Sequence, residues 1–231
     1  MDFRGRNVVV TGGAGALGTE VVRALLEAGA VCHVPCRTRE EAKAFRHREN
    51  PGVRVSAPVD LTDEAALEKL YGGIPNLWAS LHIAGGFAAG RIEEFGKPEL
   101  MRQLEMNFVT AYLCCRAAVR AIGENGGRIV NVAASRALEW RTGAGMTAYT
   151  ASKTGLAALT AALAEEVAGR LILVNAVAPS IMDTPANRAT MPKADHGKWP
   201  KVEEVAATIL FLASPENRVT RGAIVPVYGR S

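Results

Sequence analysis

The chain has 231 residues, of which 48% are hydrophobic and 22% are charged, and its formal net charge is +4. These values are typical of one globular domain with a full core, and because basic and acidic residues alternate along most helical stretches, no basic stripe indicates nucleic-acid binding. No apolar run approaches the roughly 18–20 residues of a membrane span, and residues 1–7 do not resemble a signal peptide, so we expect a cytoplasmic protein that binds neither nucleic acid nor membrane.

Strand and helix signals alternate from one end of the chain to the other. Seven short runs rich in β-branched residues predict strands: Val8–Val10, Val31–Val34, Val53–Val55, Leu77–Ile83, Arg128–Val132, Leu171–Val177 and Ala223–Val227. Six longer stretches predict helices: Leu17–Ala28, Glu40–Arg48, Glu64–Tyr71, Glu99–Ile122, Thr147–Ala168 and Val202–Ala213. Apolar strands with little in/out alternation indicate a sheet covered on both faces. The pattern predicts one α/β domain over residues 1–231, with a doubly wound, mainly parallel seven-stranded sheet and helices on both faces.

A glycine-rich turn follows the first predicted strand and leads into the first predicted helix. Gly13, Gly15 and Gly18 fit the G-x-G-x-x-G pattern in the strand–turn–helix context that dinucleotide binding requires. Small residues let the backbone approach a pyrophosphate, and the helix N-terminus offers it N–H groups and a positive dipole. The alternative is an ordinary glycine turn, but the place after the first strand favours a dinucleotide.

The end of the second predicted strand bears on which dinucleotide binds. Enzymes of this architecture that use NAD place an acid there for the ribose 2′-hydroxyl, whereas an arginine accommodates a 2′-phosphate. No acid occurs from Ala30 to Arg39, and Arg37 can pair with a phosphate. NADP(H) is therefore the favoured cofactor. NAD(H) is the alternative, in which Arg37 is only a loop charge.

Tyr149 and Lys153 form the most informative pair in the chain. Residues four apart on a helix project from the same face, and an ammonium beside a phenol lowers the phenol's pKa. Such a phenol can serve as a general acid or base near neutral pH. The spacing alone is more often structural, and its weight comes from the motifs around it.

These motifs occur in an order that resembles the short-chain dehydrogenase/reductase family over nearly the whole chain. The matching pieces are Thr11-Gly12 with Gly18, Asp60-Leu61, His82–Gly85, Asn107, Arg128–Val132, Tyr149–Lys153 and Asn175–Thr184. The resemblance implies a Rossmann-type NAD(P)-binding domain. It also implies an oxidoreductase that interconverts a ketone or aldehyde and an alcohol, with hydride carried by nicotinamide.

The resemblance implies roles for individual residues. Tyr149 would exchange a proton with the substrate oxygen, and Lys153 would lower the pKa of Tyr149 and bind the nicotinamide ribose. Ser135 would orient the substrate oxygen, and Asn107 would anchor a water that links Lys153 to solvent. The residues implied to bind the cofactor are Gly12, Gly13, Gly15, Leu17, Gly18, Arg37, Asp60, Leu61, Ala84, Gly85, Tyr149, Lys153, Pro179, Ile181 and Thr184.

The sequence departs from the family pattern at several of these motifs. Counted from Asn131, the usual serine position is Ala134, and Ser135 lies one residue later. A shifted turn would aim Ser135 at the substrate; the alternative is a loop serine without a role. The other departures are His82-Ile83 for two asparagines, Ala16 for a glycine and Ser180 for the glycine of a Pro-Gly segment. We interpret His82 as a structural substitute rather than a catalyst.

The proline-containing segment at about 184–200 predicts a substrate loop. Candidate pocket residues are Phe87, Trp140, Met146, Met182, Met191, His196 and Trp199, which predict an apolar or aromatic carbonyl or alcohol substrate. The four cysteines lack the spacing of a zinc site and are expected to be reduced, with no metal bound. The two longest helical stretches could pair with copies of themselves, and the resemblance implies a homodimer or homotetramer.

Two other functions stay open from the sequence. The displaced serine and His82-Ile83 fit a dinucleotide-binding sensor or scaffold with little catalysis, although Tyr149, Lys153 and Asn107 argue against it. An enzyme on the same scaffold could instead catalyse dehydration or epimerisation. The products would distinguish that enzyme from a reductase.

Overall fold

The computed structural model describes residues 1–231 and contains seven strands and eight α-helices. The strands are β1 Asn7–Thr11, β2 Val31–Pro35, β3 Val53–Ser56, β4 Leu77–His82, β5 Gly127–Val132, β6 Ile172–Pro179 and β7 Ile224–Val227. The helices are α1 Ala16–Glu27, α2 Arg39–Ala44, α3 Glu64–Gly72, α4 Lys97–Leu104, α5 Thr110–Ile122, α6 Thr147–Glu166, α7 Pro185–Thr190 and α8 Val202–Ala213. None of these helices is both long and apolar enough to cross a membrane.

All seven strands belong to one parallel sheet. Their order is β3-β2-β1-β4-β5-β6-β7, so the chain runs outward from β1 to one edge and then restarts beside β1 with β4. This confirms the predicted doubly wound fold, with a sheet that is entirely parallel. In such sheets a crevice opens beyond the carboxyl ends of the strands where the order reverses. Here that point lies between β1 and β4.

Helices cover both faces of the sheet. In β1, Val8 and Val10 pack with α1 and α8, while Val9 packs with α3 and α5 on the opposite face. This alternation follows from the two-residue period of side chains along a strand. Because both faces are buried, every position of β1 is apolar apart from its ends. The core therefore fixes the strands, and their carboxyl ends carry the loops that hold the candidate site.

Three predicted segments differ from the structure. The helix expected over Glu40–Arg48 ends at Ala44, because the next residue, Phe45, leaves the helical conformation and is buried in the core. The helix expected over Glu99–Ile122 is divided by a π-helical turn at Glu105–Val109. The third difference is α7, which lies inside the segment read as an irregular loop.

The start of α7 has a local cause that the sequence contains. Thr184 accepts a hydrogen bond from the Asn187 amide at 3.2 Å, and Pro185 occupies the first helical position. A threonine cap followed by proline is a common helix start. The segment at about 184–200, which is predicted to be a substrate loop, is therefore partly helical. The Asp183 amide, which precedes it, donates to the Pro200 carbonyl at 2.9 Å.

Candidate active site

The glycine-rich turn after β1 is required by packing at three of its positions. Gly12 has a φ of +64°, and a Cβ there would lie 2.7 Å from the Ala84 amide nitrogen. A Cβ at Gly13 would lie 2.8 Å from a methyl group of Val34. At Gly18 it would lie 2.6 Å from the Gly13 Cα and collide with the Gly12 carbonyl oxygen. These glycines let the turn pack against β2, against the loop after β4 and against itself.

Gly15 differs from the other three glycines of this turn because a side chain at its position would have room. A Cβ there would meet only the Gly12 carbonyl oxygen, at 3.3 Å, and its φ of −77° suits any residue. Gly15 is also the N-cap of α1, where no side chain caps the helix and no acidic residue lies in the first turn. Free N–H groups at a helix N-terminus bind phosphate groups. These features fit the pyrophosphate of a dinucleotide.

Arg37 and Asp60 lie close together beyond the ends of β2 and β3. Asp60 accepts hydrogen bonds from the Thr62 amide and hydroxyl at 2.8 and 2.7 Å, and these bonds, with the positive charge of Arg37, lower its pKa. Arg37 is exposed, and its backbone amide donates to the Glu41 carboxylate at 2.7 Å. The sequence analysis did not single out Glu41, which places a negative charge beside the residue expected to meet a 2′-phosphate.

Lys153 is buried on α6 and points toward the end of β5. Its Nζ donates to the Val132 carbonyl oxygen at 2.7 Å, and a Cβ added at Gly85 would lie 3.4 Å from Nζ. Burial lowers the pKa of Lys153 to about 8. An ammonium has three N–H donors, and a single protein acceptor leaves two of them for a ligand such as a ribose hydroxyl. This arrangement fits the nicotinamide ribose predicted for Lys153.

The electrostatics of Tyr149 differ from the expectation. Burial raises the pKa of the Tyr149 phenol to about 12, and the neighbouring charge that opposes this rise is Arg136 rather than Lys153. The cause lies in the orientation of Lys153, which is bonded to the carbonyl of Val132. Phe87 packs edge-on against Tyr149, with ring centroids 5.0 Å apart, and is itself largely exposed. The phenol therefore packs against an exposed aromatic side chain, and the charge of an arginine acts on its pKa.

Asn107 is held in the π-helical turn between α4 and α5. Its side-chain oxygen accepts from the Gly86 amide at 3.0 Å, and its Nδ2 donates to the Gly86 and Gln103 carbonyls at 2.9 and 3.1 Å. A Cβ at Gly85 would lie 2.7 Å from the Asn107 Oδ1. π turns insert one extra residue into a helix and often occur at functional sites. The structure thus brings Asn107 and Lys153 to the same glycine of the loop after β4.

Ser135 is buried at the start of a 3₁₀ turn that follows β5. This turn, Ser135–Ala137, packs against α6, which carries Tyr149 and Lys153. The Arg136 guanidinium donates to the Ser135 hydroxyl oxygen at 3.4 Å. Ala134 precedes the turn in an extended conformation. Arg136, which the sequence analysis did not single out, therefore contacts Ser135 and acts electrostatically on Tyr149.

The cofactor-binding residues predicted after β6 lie in the stretch that connects this strand to α7. Pro179 is the last residue of β6, Ile181 is exposed, and Thr184 is buried as the cap of α7. Ser180 donates to the Tyr228 carbonyl oxygen at 3.0 Å, which ties this stretch to the C-terminal residues.

The candidate pocket residues separate into two groups. Phe87 lies against Tyr149, and Trp140 is exposed with its indole N–H donating to the Ala137 carbonyl at 2.8 Å. His196 and Trp199 instead pack on each other, with ring centroids 4.6 Å apart, and His196 bonds to the Met191 carbonyl at 2.8 Å. The second group holds the segment 184–200 together.

A family comparison decides what this site belongs to. The model of the short chain dehydrogenase family matches residues 6–195, which is most of the chain. The protein belongs to the short-chain dehydrogenase family. It is an oxidoreductase of that family, whose members use NAD(P)(H) and act on CH–OH groups or the corresponding carbonyls.

Similar proteins cover nearly the full chain. A galactitol 2-dehydrogenase from Rhizobium johnstonii is 32% identical, over 96% of this chain and 93% of the relative. An NAD⁺-dependent 2-dehydro-3-deoxy-L-rhamnonate dehydrogenase from a Sphingomonas species is 31% identical, over 98% and 95%. Among solved structures, ElxO with NADP bound has a TM-score of 0.87 at 22% identity and covers 97% of each chain. At 22% identity, the similarity to ElxO shows a shared fold and nothing further.

His82, which replaces an asparagine of the short-chain dehydrogenase motif, takes part in a buried series of hydrogen bonds. The Asn131 Nδ2 donates to Thr160 at 2.9 Å, so the Asn131 oxygen faces His82 and accepts from its Nδ1 at 2.7 Å. His82 Nε2 then accepts from the Ser80 hydroxyl at 2.8 Å, and Ser80 bonds to Tyr71 at 2.8 Å. Burial lowers the pKa of His82 to about 4. His82 is therefore neutral and structural, which confirms its interpretation from the sequence.

Proposed function

We propose that the protein reduces a ketone or aldehyde with NADPH, reversibly, and that Tyr149 gives the proton to the substrate oxygen. The observation that carries this proposal is the convergence of Lys153 and Asn107 on Gly85, in the loop that packs against the glycine turn. Lys153 lies on α6, the helix that also carries Tyr149. A bound nicotinamide supplies the hydride. The chain's own residues supply position and the proton.

Each side chain has a distinct part in this proposal. Tyr149 protonates the oxygen of the carbonyl during reduction and takes the proton back during alcohol oxidation. Ser135 donates its hydroxyl proton in a hydrogen bond to the same oxygen and fixes its direction. Lys153 binds the ribose, and its ammonium favours the Tyr149 phenolate once it turns away from the Val132 carbonyl. Asn107 holds Gly86 and orders the path by which a proton reaches Lys153 from solvent.

The preference for NADP(H) rests on Arg37. Its exposed guanidinium can pair with a 2′-phosphate, and no acid stands in the segment from Ala30 to Arg39. Glu41 disfavours a phosphate there, because the hydrogen bond from the Arg37 amide holds its negatively charged carboxylate beside Arg37. Of the similar proteins named above, ElxO binds NADP and the rhamnonate dehydrogenase uses NAD⁺. The preference of this chain between the two cofactors must therefore be argued from its own residues.

A titration tests the cofactor preference. We expect the purified protein to bind NADPH more tightly than NADH when nicotinamide fluorescence is followed. Arg37→Gln should weaken NADPH binding about 10- to 100-fold, the range of a charge-assisted hydrogen bond, and leave NADH nearly unchanged. Arg39→Gln, an exposed neighbour, is the matched control. Equal or tighter binding of NADH by the unaltered protein would refute the preference and leave the family assignment in place.

The proposed reaction is tested with Tyr149→Phe. This change removes only the hydroxyl, so NADPH binding should stay within about twofold while carbonyl reduction falls by 10³-fold or more. Tyr112→Phe, on an exposed part of α5, is the control and should keep full activity. Retained activity in Tyr149→Phe would end the proposed mechanism. Tight cofactor binding without turnover of a broad panel of carbonyls and alcohols would instead favour a sensor.

We also propose that the chain works in the cytoplasm as a homodimer or homotetramer, paired through α5 and α6. Tyr112 on α5 is 47% exposed, so its ring is accessible to a second copy of the chain. Light scattering after size exclusion would give the mass, and Tyr112→Glu should shift it toward a monomer. A monomeric unaltered protein would contradict the proposal.

A further inference from the structure

Arg136 contacts one of the two side chains that are proposed to hold the substrate oxygen and acts electrostatically on the other. Its Nη1 lies 3.4 Å from the Ser135 hydroxyl oxygen, and the guanidinium is near enough to Tyr149 to act on the phenol electrostatically. The side chain is half-buried, and its positive charge also opposes the rise in the pKa of Tyr228, just after β7. A permanent cation is thus built into the substrate side of the site.

The charge of Arg136 has no anionic partner in the protein. The guanidinium has five N–H donors, and only the one toward Ser135 meets an acceptor, at a long distance. Glu139, three residues later, makes no ion pair with Arg136 and instead raises the pKa of Tyr228. The remaining N–H donors of the Arg136 guanidinium therefore have no acceptor in the protein. Arg136 is therefore poised for an anion from outside the chain.

Another arginine shows how this fold satisfies a buried guanidinium when the role is structural. Arg128, at the other end of β5, donates to the carbonyls of Gly127, Ser214 and Asn217, at 2.9, 3.3 and 2.5 Å. It also lies over the Trp78 ring, 4.8 Å from the centroid. Arg136 has no comparable set of acceptors. The contrast separates an arginine that holds the fold from one that is available to a ligand.

We propose that Arg136 binds a carboxylate of the substrate, and that the substrate is a 2-oxo or 3-oxo acid or the corresponding hydroxy acid. This rests on the proposed function. A guanidinium pairs with a carboxylate through two parallel hydrogen bonds. Because Arg136 also reaches Ser135, which would hold the carbonyl oxygen, the carboxylate must lie only one or two carbons from that carbonyl. Phe87 provides an apolar surface beside Tyr149 for the rest of the molecule.

Matched acids and esters test the proposal. Benzoylformate and benzoylacetate would each be compared with their methyl esters, following NADPH oxidation with the unaltered protein, Arg136→Gln, Arg136→Lys and Arg141→Gln. The unaltered protein should prefer each acid by about 10- to 100-fold in kcat/KM, as expected for a charge-assisted hydrogen bond. Arg136→Gln should abolish this ratio mainly by raising KM, and Arg136→Lys should restore part of it. Arg141→Gln, exposed in the next turn, should keep it.

The ratio of acid to ester separates substrate binding from an effect on Tyr149. If Arg136 acts only through the phenol, acid and ester lose activity together and the ratio survives in Arg136→Gln, which would overturn the proposal. An unaltered protein that turns over esters as well as acids would also overturn it, while the proposed reductase would stand.

A binding measurement covers the case in which neither probe is turned over. Tyr149→Phe loaded with NADPH would be titrated with benzoylformate and with its methyl ester, following nicotinamide fluorescence. Tighter binding of the acid that is lost on adding Arg136→Gln supports the carboxylate site independently of catalysis. Equal binding of acid and ester would refute it.

Discussion

Two opposing influences act on the Tyr149 phenol. Burial raises its pKa to about 12, and the nearby Arg136 lowers it. Lys153 adds no comparable effect while its amino group is bonded to Val132, and its own pKa is lowered by burial to about 8. The phenol is therefore protonated at neutral pH, which suits a proton donor for carbonyl reduction.

This protonation state gives a pH prediction at the residue scale. Reduction requires the phenol, so its kcat/KM should be flat through neutral pH and decline only on the alkaline side. Oxidation of the alcohol requires the phenolate, so its kcat/KM should rise with pH over the same range. Rate profiles from pH 6 to 10 in both directions check this, and an oxidation rate that falls with pH would contradict it.

Gly15 and Gly18 should respond to alanine in different ways. A Cβ at Gly18 would collide with backbone atoms of Gly12 and Gly13, so Gly18→Ala should lower the free energy of unfolding by about 1–3 kcal/mol. A Cβ at Gly15 fits the protein but enters the space open to a pyrophosphate. Gly15→Ala should therefore keep its stability and lose about tenfold or more in NADPH affinity. Urea unfolding and fluorescence titration measure the two effects, and a destabilised Gly15→Ala would contradict the assignment.

At the scale of elements, a directional hydrogen-bond chain joins α3, β4, β5 and α6. Tyr71 donates to Ser80, Ser80 to His82, His82 to Asn131, and Asn131 to Thr160. Thr160 then donates to the Leu156 carbonyl at 2.8 Å. Because each member has a partner, the buried polar groups avoid the cost of unmade hydrogen bonds. The chain braces the strands whose ends carry Ala84, Gly85 and the turn with Ser135.

Breaking this chain at its centre should be costly. His82→Leu leaves the Ser80 hydroxyl proton without its acceptor and the Asn131 oxygen without its strongest donor, and we expect it to lower the free energy of unfolding by about 2–4 kcal/mol. His33→Leu is the control, because His33 makes one bond, to Asn7 at 2.9 Å, and is only partly buried. Chemical denaturation of both variants measures the effect. A His82→Leu protein as stable as the unaltered one would show that the chain is not stabilising.

The same histidine makes stability depend on pH. The pKa of His82 is lowered to about 4 in the folded state, below the usual value of 6.5. Between these values the unfolded chain binds a proton that the folded chain does not, so stability falls as pH decreases from about 6.5 toward 4. The stability gap between the unaltered protein and His82→Leu should therefore narrow with acidification. A gap independent of pH would contradict a neutral buried His82.

For the whole molecule, two cores on opposite faces of one parallel sheet enclose all four cysteines. Cys32 and Cys36 lie in the core with α1 and α8, and Cys114 and Cys115 lie in the core with α3 and α5. Burial raises the pKa of each thiol, for example to about 11 for Cys36 and about 12 for Cys32. A thiol that is neither exposed nor ionised is unreactive.

This burial predicts the behaviour of the intact protein toward thiol reagents. Ellman's reagent should label none of the four cysteines in the folded protein at neutral pH and all four after unfolding in urea. Because labelling then reports global opening, its rate should fall when NADPH is added and stabilises the fold. Fast labelling of any thiol in the folded state would indicate local opening of one of the two cores.

Sequence and structure agree where the signal is local. The order of strands and helices, the glycine turn and the four-residue spacing of Tyr149 and Lys153 all follow from neighbours along the chain. The π turn does not, because Asn107 and its neighbours read as ordinary helix until the bonds to Gly86 are seen. The start of α7, in contrast, is encoded locally, because Thr184-Pro185 is a helix-capping pattern that the sequence itself contains.

The sequence by itself determined the parallel α/β fold, the family and the residues that are proposed to carry the proton and hold the dinucleotide. Periodicity and motif spacing encode these features within short stretches of chain. Only the tertiary structure placed Arg136 beside Ser135 and Tyr149, Glu41 on the Arg37 amide, and His82 within its buried chain. These contacts depend on how loops pack and how side chains are oriented across elements, which the spacing of residues does not record.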